Sequence, residues 1–311
     1  MIYVHFHLSR EEANYLSDRI GQRSVAFAAG ESEDEQQRMC RDAEIILGNP
    51  PVAWLRDVGD LRWMQLSSAG FRPYTALADE KVSFQITNCA GLFGTPVAET
   101  ALAGILALLR RIPTFVRDQE QRHWRGAAIR PELGTLSGKR VIVLGSGSIG
   151  GRFRQLLDGF DCRVATMGNH NVADFHTLRE LDARLPEADV VMAALPDTEA
   201  TRDMFDAPRL SLLSSTCIFA NVGRGNLVDE QALLARLVDG TLGGAVLDVT
   251  RNEPLGQNDP LWKAPRTVLT QHSAGGAQDE RRRIIDRFLH NLARYDRGRQ
   301  LDYSVDLHRG Y

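Results

Sequence analysis

Residues 139–151, KRVIVLGSGSIGG, constrain what this chain can fold into more than any other stretch. Val141, Ile142, Val143 and Leu144 make a short, wholly apolar and mostly β-branched run, which reads as a parallel strand buried on both faces. Gly145, Gly147 and Gly150 follow at G-x-G-x-x-G spacing. In a dinucleotide-binding turn the first glycine permits the tight bend and the second lets backbone approach a pyrophosphate. The third lets the next helix pack closely on the strand. The N–H groups that open that helix then point at the phosphate. A chain with 27 glycines produces such a spacing by chance, so its flanks decide what it means. A helix is expected over 152–158 and a second strand over 162–167, which closes a βαβ unit around the glycines.

The same alternation runs through the rest of the chain. Before the glycine motif, strands are expected at 2–6, 44–47, 63–66 and 82–87, with helices at 11–19 and 33–41, enough for an α/β domain of its own. Residues 88–96, NCAGLFGTP, are rich in turn formers and read as a crossover between domains. Pro96 suits the first turn of a helix over 97–111. That helix is apolar on more than one face, so it is buried in the fold, in a subunit interface or in both. Pro113 is expected to bend or interrupt it, with helix continuing over 115–124. After the motif, strands at 190–195, 217–221, 244–249 and 267–270 each end in polar residues, where open α/β sheets place their ligands. The last helix, 279–295, leads back toward the first domain.

Length and charge narrow the classes. A chain of 311 residues suits two domains of roughly 100 to 200 residues each. The net charge of -3 shows no basic excess of the kind nucleic-acid binding needs, while a locally positive site for a small anion remains compatible with it. Cys40, Cys89, Cys162 and Cys217 lack C-x-x-C spacing, which argues against a zinc cluster or a disulfide framework and for free thiols in a reducing compartment. Residues 1–12 lack a basic region followed by a long apolar stretch, and the apolar run 101–109 is too short to span a bilayer. A cytoplasmic protein with no metal and no membrane or nucleic-acid partner is expected.

Three side chains at strand ends carry candidate chemistry. Arg224, in NVGRGNLVDE, is flanked by glycines that let a guanidinium approach an oxyacid and present two parallel donors to its carboxylate; a surface arginine before a helix cap is the equal alternative. His272, in TQHSAGG, has the side chain suited to moving a proton near neutral pH, although most lone histidines are structural or exposed. Glu253, in DVTRNEPL, is taken singly an exposed loop glutamate, but beside His272 its charge would favour the imidazolium. Together the three supply what reduction of a 2-oxo acid needs: a carboxylate anchor, a proton donor and a group that tunes the donor.

With these motifs assembled, the chain resembles the D-2-hydroxyacid dehydrogenase family, and within it the glyoxylate and hydroxypyruvate reductases. The match rests on GSGSIG, LPDTEATR (195–202), NVGRGNLVDEQAL, AVLDVTRNEPL and TQHSAGG, in family order and spacing. The resemblance implies two Rossmann-like, doubly wound parallel-sheet domains. A dinucleotide-binding domain over 94–283 would be inserted into a substrate domain formed by 1–93 and 284–311. It implies that Arg224 binds the substrate carboxylate with help from the backbone of Ala69 and Gly70, that His272 protonates the carbonyl oxygen, and that Glu253 bonds His272. For the cofactor it implies Gly145, Gly147, Ser148, Ile149 and Gly150 at the pyrophosphate and Asp248 at the nicotinamide amide. Leu195, Pro196 and Thr201 would border the adenosine side, Val222 and Gly223 the nicotinamide ribose, and Ala274 and Gly275 would complete the site. The helix after Pro96 would be a dimerisation element.

One position departs from that pattern. NAD-binding members usually carry an acidic residue about 18 positions past the last glycine, where the ribose 2′-OH is read. Here Gly168 stands there, followed by Asn169 and His170, so NADP is expected, with NAD as the alternative. A non-catalytic protein that senses dinucleotides on the same fold is the rival to an enzyme.

Overall fold

The computed structural model describes residues 1–80, 82–169 and 172–308. The chain forms two compact units, one of residues 1–93 and 277–311, the other of residues 94–276. In the first unit β1 (Ile2–His5), β2 (Val25–Phe27), β3 (Ile45–Gly48), β4 (Trp63–Gln65) and β5 (Gln85–Thr87) form a parallel sheet in the order β2-β1-β3-β4-β5. Helices α1 (Arg10–Ser17) and α2 (Glu33–Arg41) are the crossovers. Ser9 and Ser32 cap them by accepting the N–H of Glu12 and of Glu35, which satisfies donors the first helical turn leaves open.

Successive residues of the central strands enter opposite cores, as the pleat requires. Ile2, Val4, Ile45, Leu47 and Trp63 pack on one side with Leu16, while Tyr3, Ile46, Met64 and Ile86 pack on the other with Cys40. The strand expected over 82–87 begins only at Gln85.

The second unit opens with α3 (Gly94–Leu109) and α4 (Ile112–Glu120). The break between them falls at Arg111, in the left-handed region at φ 57°, and Pro113 sits in the first turn of α4, where its missing N–H costs nothing. Then follow β6 (Arg140–Leu144), α5 (Ser148–Leu157), β7 (Arg163–Met167), α6 (Leu178–Arg184), β8 (Val190–Ala193), α7 (Ala207–Ser211), β9 (Ile218–Asn221), α8 (Glu230–Val238), β10 (Gly244–Leu247) and β11 (Thr267–Leu269). The sheet is parallel throughout, ordered β11-β10-β9-β8-β6-β7. The connections reverse direction between β6 and β8, and a ligand is expected beyond the carboxyl ends of the strands at that point. Val141 to Leu144, Val190 to Ala193 and Ile218 to Asn221 are all buried, as a sheet covered on both faces demands.

The final helix, α9 (Glu280–Tyr295), returns to the first unit, where Phe288 stacks on Trp63 with ring centroids 5.0 Å apart. Asn291, wholly buried, donates to Gln65 Oε1 at 3.1 Å and to the Asp302 carbonyl at 3.0 Å. A boundary at 283/284 would cut this helix, whose apolar face belongs entirely to the first sheet. The change of unit falls instead between Gly276 and Ala277.

Candidate active site

The glycine turn joins β6 to α5. A Cβ on Gly150 would lie 1.8 Å from the Gly145 carbonyl oxygen, so only glycine lets helix and turn close to this distance. Gly147 is the N-cap of α5 and brings no side-chain cap, while a Cβ there would meet nothing within 4 Å. The first-turn N–H groups of α5, among them those of Ser148 and Ile149, therefore open onto space without a capping side chain. That suits the pyrophosphate of a dinucleotide.

Arg224, Glu253 and His272 follow the adjacent strands β9, β10 and β11, and lie at one end of one sheet. His272 Nδ1 is 2.6 Å from Glu253 Oε2, and the other carboxylate oxygen of Glu253 accepts the Thr250 N–H at 2.9 Å. An imidazole that gives its Nδ1 proton to a carboxylate keeps Nε2 for proton transfer. Arg224 is held in extended backbone by Asn221, whose amide donates to the Arg224 carbonyl at 2.9 Å and accepts from the Gly223 N–H at 3.1 Å. The glycine after Arg224 has a steric reason. A Cβ on Gly225 would lie 2.0 Å from the Thr250 carbonyl, so glycine lets the arginine loop press against the loop that carries Glu253.

Asp248, 4 % exposed, organises the histidine loop. Its Oδ1 accepts the Thr270 hydroxyl at 2.7 Å and the N–H groups of Ser273 and Ala274, each at 3.0 Å, while its carbonyl accepts the His272 N–H at 2.5 Å. These bonds hold Gln271 and His272 in consecutive left-handed conformations, φ 56° and 54°.

Around the arginine and glutamate loops a further carboxylate appears. Glu230 accepts the Arg251 N–H at 2.5 Å, and burial pushes its carboxyl above the usual glutamate value against the pull of that N–H and of the Arg251 guanidinium. Asn221, Glu230 and Thr270 were not singled out from the sequence. Their common signal is a polar residue within three positions of the end of an apolar strand or start of a helix, which is weak without coordinates.

Other expected cofactor contacts are less directly presented. Thr201 is buried, and its hydroxyl donates within its own loop to the Pro196 carbonyl at 2.7 Å. Leu195 packs close behind Gly223, where a Cβ would lie 2.6 Å from the Leu195 carbonyl oxygen. Val222 and Ala274 are buried and Gly275 is half-buried. Gly168 directly follows β7 and Asn169 is exposed, whereas His170 lies outside the described residues. In the first unit the loop after β4 is braced: Asn88 donates to the Ala69 carbonyl at 2.7 Å and Ser68 Oγ to the Gly70 carbonyl at 2.6 Å.

Known proteins share the sequence signature and the fold. A sequence profile of the D-isomer specific 2-hydroxyacid dehydrogenase NAD binding domain matches residues 102–274. A glyoxylate reductase of Aeropyrum pernix is 31% identical over 251 residues, covering 77% of this chain and 74% of that one. A D-isomer specific 2-hydroxyacid dehydrogenase family protein of Aeromonas salmonicida has a solved structure that superposes with a TM-score of 0.83, at 29% identity over 98% of this chain and 99% of that one. The corresponding enzyme of Xanthobacter autotrophicus, solved with NADPH and MES, gives 0.82 at 27% identity over 100% and 99%. The chain belongs to the D-isomer specific 2-hydroxyacid dehydrogenase family. It is an NAD(P)-dependent oxidoreductase built on two parallel-sheet domains. Among the described residues no helix is long and apolar enough to cross a membrane.

Proposed function

We propose that the chain reduces a short 2-oxo acid, glyoxylate or hydroxypyruvate, to the 2-hydroxy acid with NADPH as the preferred cofactor. The observation that carries this is the 2.6 Å pair of His272 Nδ1 and Glu253 Oε2 on the strand ends next to Arg224. A bound nicotinamide supplies the hydride. Arg224 offers a planar, two-pronged donor to the substrate carboxylate. His272 gives its Nε2 proton to the carbonyl oxygen, and Glu253, bonded to Nδ1 at 2.6 Å, orients the ring. Ser148, Ile149 and the glycine turn receive the pyrophosphate, while Asp248 Oδ2 remains to accept from the nicotinamide amide.

The cofactor preference rests on the end of β7. Gly168 offers no carboxylate to accept from a ribose 2′-OH or to repel a 2′-phosphate. Asp174, the nearest acidic side chain in sequence, is committed elsewhere. Its Oδ2 accepts the Thr166 N–H at 2.7 Å and bonds Arg154 at 2.5 Å. The NADPH-bound relative supports the same preference.

A homodimer is also proposed. Ile112 (47% exposed), Val116 (49%) and Trp124 (92%) leave apolar side chains exposed along and just beyond α4, the helix that follows α3. Placement in the cytoplasm is supported by unpaired cysteines, of which Cys40 and Cys217 are buried with thiols pushed up to about 12 by that burial. Initial rates over a panel of 2-oxo acids with NADPH and NADH test the main proposal, and a protein that binds the dinucleotide yet turns over none of them would overturn it. Light scattering at micromolar concentration tests the dimer, which a monomer mass would refute.

A further inference from the structure

Glu253 reaches His272 from the turn 250–253, which it holds only in part. Residues 250–253 connect β10 to the rest of the chain, and within the turn Thr250 N–H goes to Glu253 itself. The next N–H, that of Arg251, goes outward to Glu230 Oε1 at 2.5 Å. The Arg251 guanidinium reaches the same region: it donates to the Val228 carbonyl at 2.8 Å and pairs with Asp203. Asp203 N–H in turn bonds the Asn226 carbonyl at 2.8 Å, and Gly225 lies against Thr250 with no room for a Cβ. Two consecutive amides are thus divided between two carboxylates, one of which faces His272 and the other the start of α8, just after the Arg224 loop.

We propose that Glu230 is a positioning residue that fixes the turn 250–253 against the Arg224 loop and so keeps Glu253 in register with His272, an inference that rests on the proton-donor role proposed above for that pair. The physical reason is that Glu230 Oε1 and Glu253 Oε1 hold neighbouring amides of one turn, Arg251 N–H at 2.5 Å and Thr250 N–H at 2.9 Å. A Cβ on Gly225 would lie 2.4 Å from the Arg251 nitrogen, so the amide that Glu230 holds is also the point where the turn seats on the Arg224 loop. With Glu230 removed, that amide is left to solvent, the turn loses its tie to the start of α8, and Glu253 drifts from His272. Arg251 and Asp203 support the same turn from its exposed side, where an ion pair alone contributes little. Sub-ångström alignment is the quantity at stake, and misplacement on that scale is costly to catalysis.

The test compares Glu230→Ala, Glu230→Asp and Glu230→Gln with Glu253→Gln and wild type. Glutamine keeps an acceptor oxygen at the same reach, whereas aspartate keeps the charge and withdraws it. A misplacement of about 1 Å at the reacting groups costs about 10²-fold. Glu230→Ala is therefore expected to lose kcat on that order with KM for the dinucleotide little changed. Glu230→Gln should recover most of the rate, and Glu230→Asp should fall between. If alanine prevents folding, as read by melting temperature, the aspartate and glutamine variants decide on their own. Wild-type kcat in Glu230→Ala or Glu230→Asp, with Glu253→Gln impaired, would overturn the inference alone. So would equal slowing of the alanine and glutamine variants. An unimpaired Glu253→Gln would remove the underlying proton-donor reading instead.

Discussion

Substituting Asp248 by alanine separates a residue that touches the cofactor from one that builds the proton donor. In the structure Asp248 Oδ1 accepts three hydrogen bonds, from Thr270 Oγ1, Ser273 N and Ala274 N, at 2.7, 3.0 and 3.0 Å. Removing a buried acceptor leaves its donors unmet at about 1–3 kcal/mol apiece; solvent can reach Ser273 and Thr270, so the full penalty falls on Ala274 alone, about 1–3 kcal/mol. Against it stand Gln271 and His272, whose φ values of 56° and 54° each cost about 1–2 kcal/mol relative to right-handed backbone. The two sums are comparable. Once the bonds are lost, the loop gains by relaxing, and His272 leaves its place beside Glu253. Asp248→Ala is therefore expected to melt several degrees lower and to lose kcat by about 10²-fold or more, approaching the effect of losing the general acid itself. Asp248→Asn keeps an oxygen at the same point and should retain most of the stability. A double-mutant cycle is the sharper assay. If Asp248 acts through His272, Asp248→Ala adds almost nothing to kcat in a His272→Ala background. Wild-type kcat in Asp248→Ala, with only the cofactor KM raised, would refute the argument and leave the residue a simple amide contact.

Two further outcomes bear on the chemistry. His272→Ala should lose turnover on the order of 10²- to 10⁴-fold while binding of a 2-oxo acid analogue falls less, and near wild-type turnover would take His272 out of the mechanism. Arg224→Lys keeps the charge but not the planar pair of donors, so substrate KM should rise and kcat fall with dinucleotide affinity little changed; unchanged analogue binding by calorimetry would place the anchor elsewhere.

What was legible in the sequence was local. The apolar run Val141–Leu144 and the glycines after it sit within a dozen residues, so strand, turn and helix could be read together. The strand ends that carry Arg224, Asp248 and His272 announced themselves by a change from apolar to polar residues. Edge strand β2 did not: Val25–Phe27 is three residues long and half-buried, too short to show a period. Nor did the partners of the site. Asp248 meets Thr270 and Ala274 across 22 and 26 residues, and Glu230 meets Arg251 across 21, each through the pairing of β9, β10 and β11. Periodicity and propensity carry no information about such contacts.

The same kind of long-range contact changes what the glycine at the end of β7 means. Read in sequence, Gly168 is an absent carboxylate, and Gly168→Asp should by itself convert the enzyme to NADH. In the structure a Cβ on residue 168 would lie 2.3 Å from Ser146 Oγ and 2.8 Å from Ser146 Cβ. Ser146 belongs to the glycine turn, so the added side chain pushes on the element that receives the pyrophosphate shared by both dinucleotides. Gly168→Asp alone is therefore expected to lower kcat/KM for NADPH and NADH together and to reduce the melting temperature. Ser146→Gly removes both clashing atoms and leaves the Ser146 nitrogen, 3.2 Å from that Cβ, as the nearest remaining atom. In the Ser146→Gly/Gly168→Asp double variant the carboxylate has room to accept from a ribose 2′-OH and to repel a 2′-phosphate. The ratio of kcat/KM for NADPH to that for NADH should then fall at least tenfold below wild type, about 1.4 kcal/mol. A single Gly168→Asp variant that folds as stably as wild type and already prefers NADH would show that the turn yields freely. It would also show that the space at Gly168 places no constraint on cofactor choice.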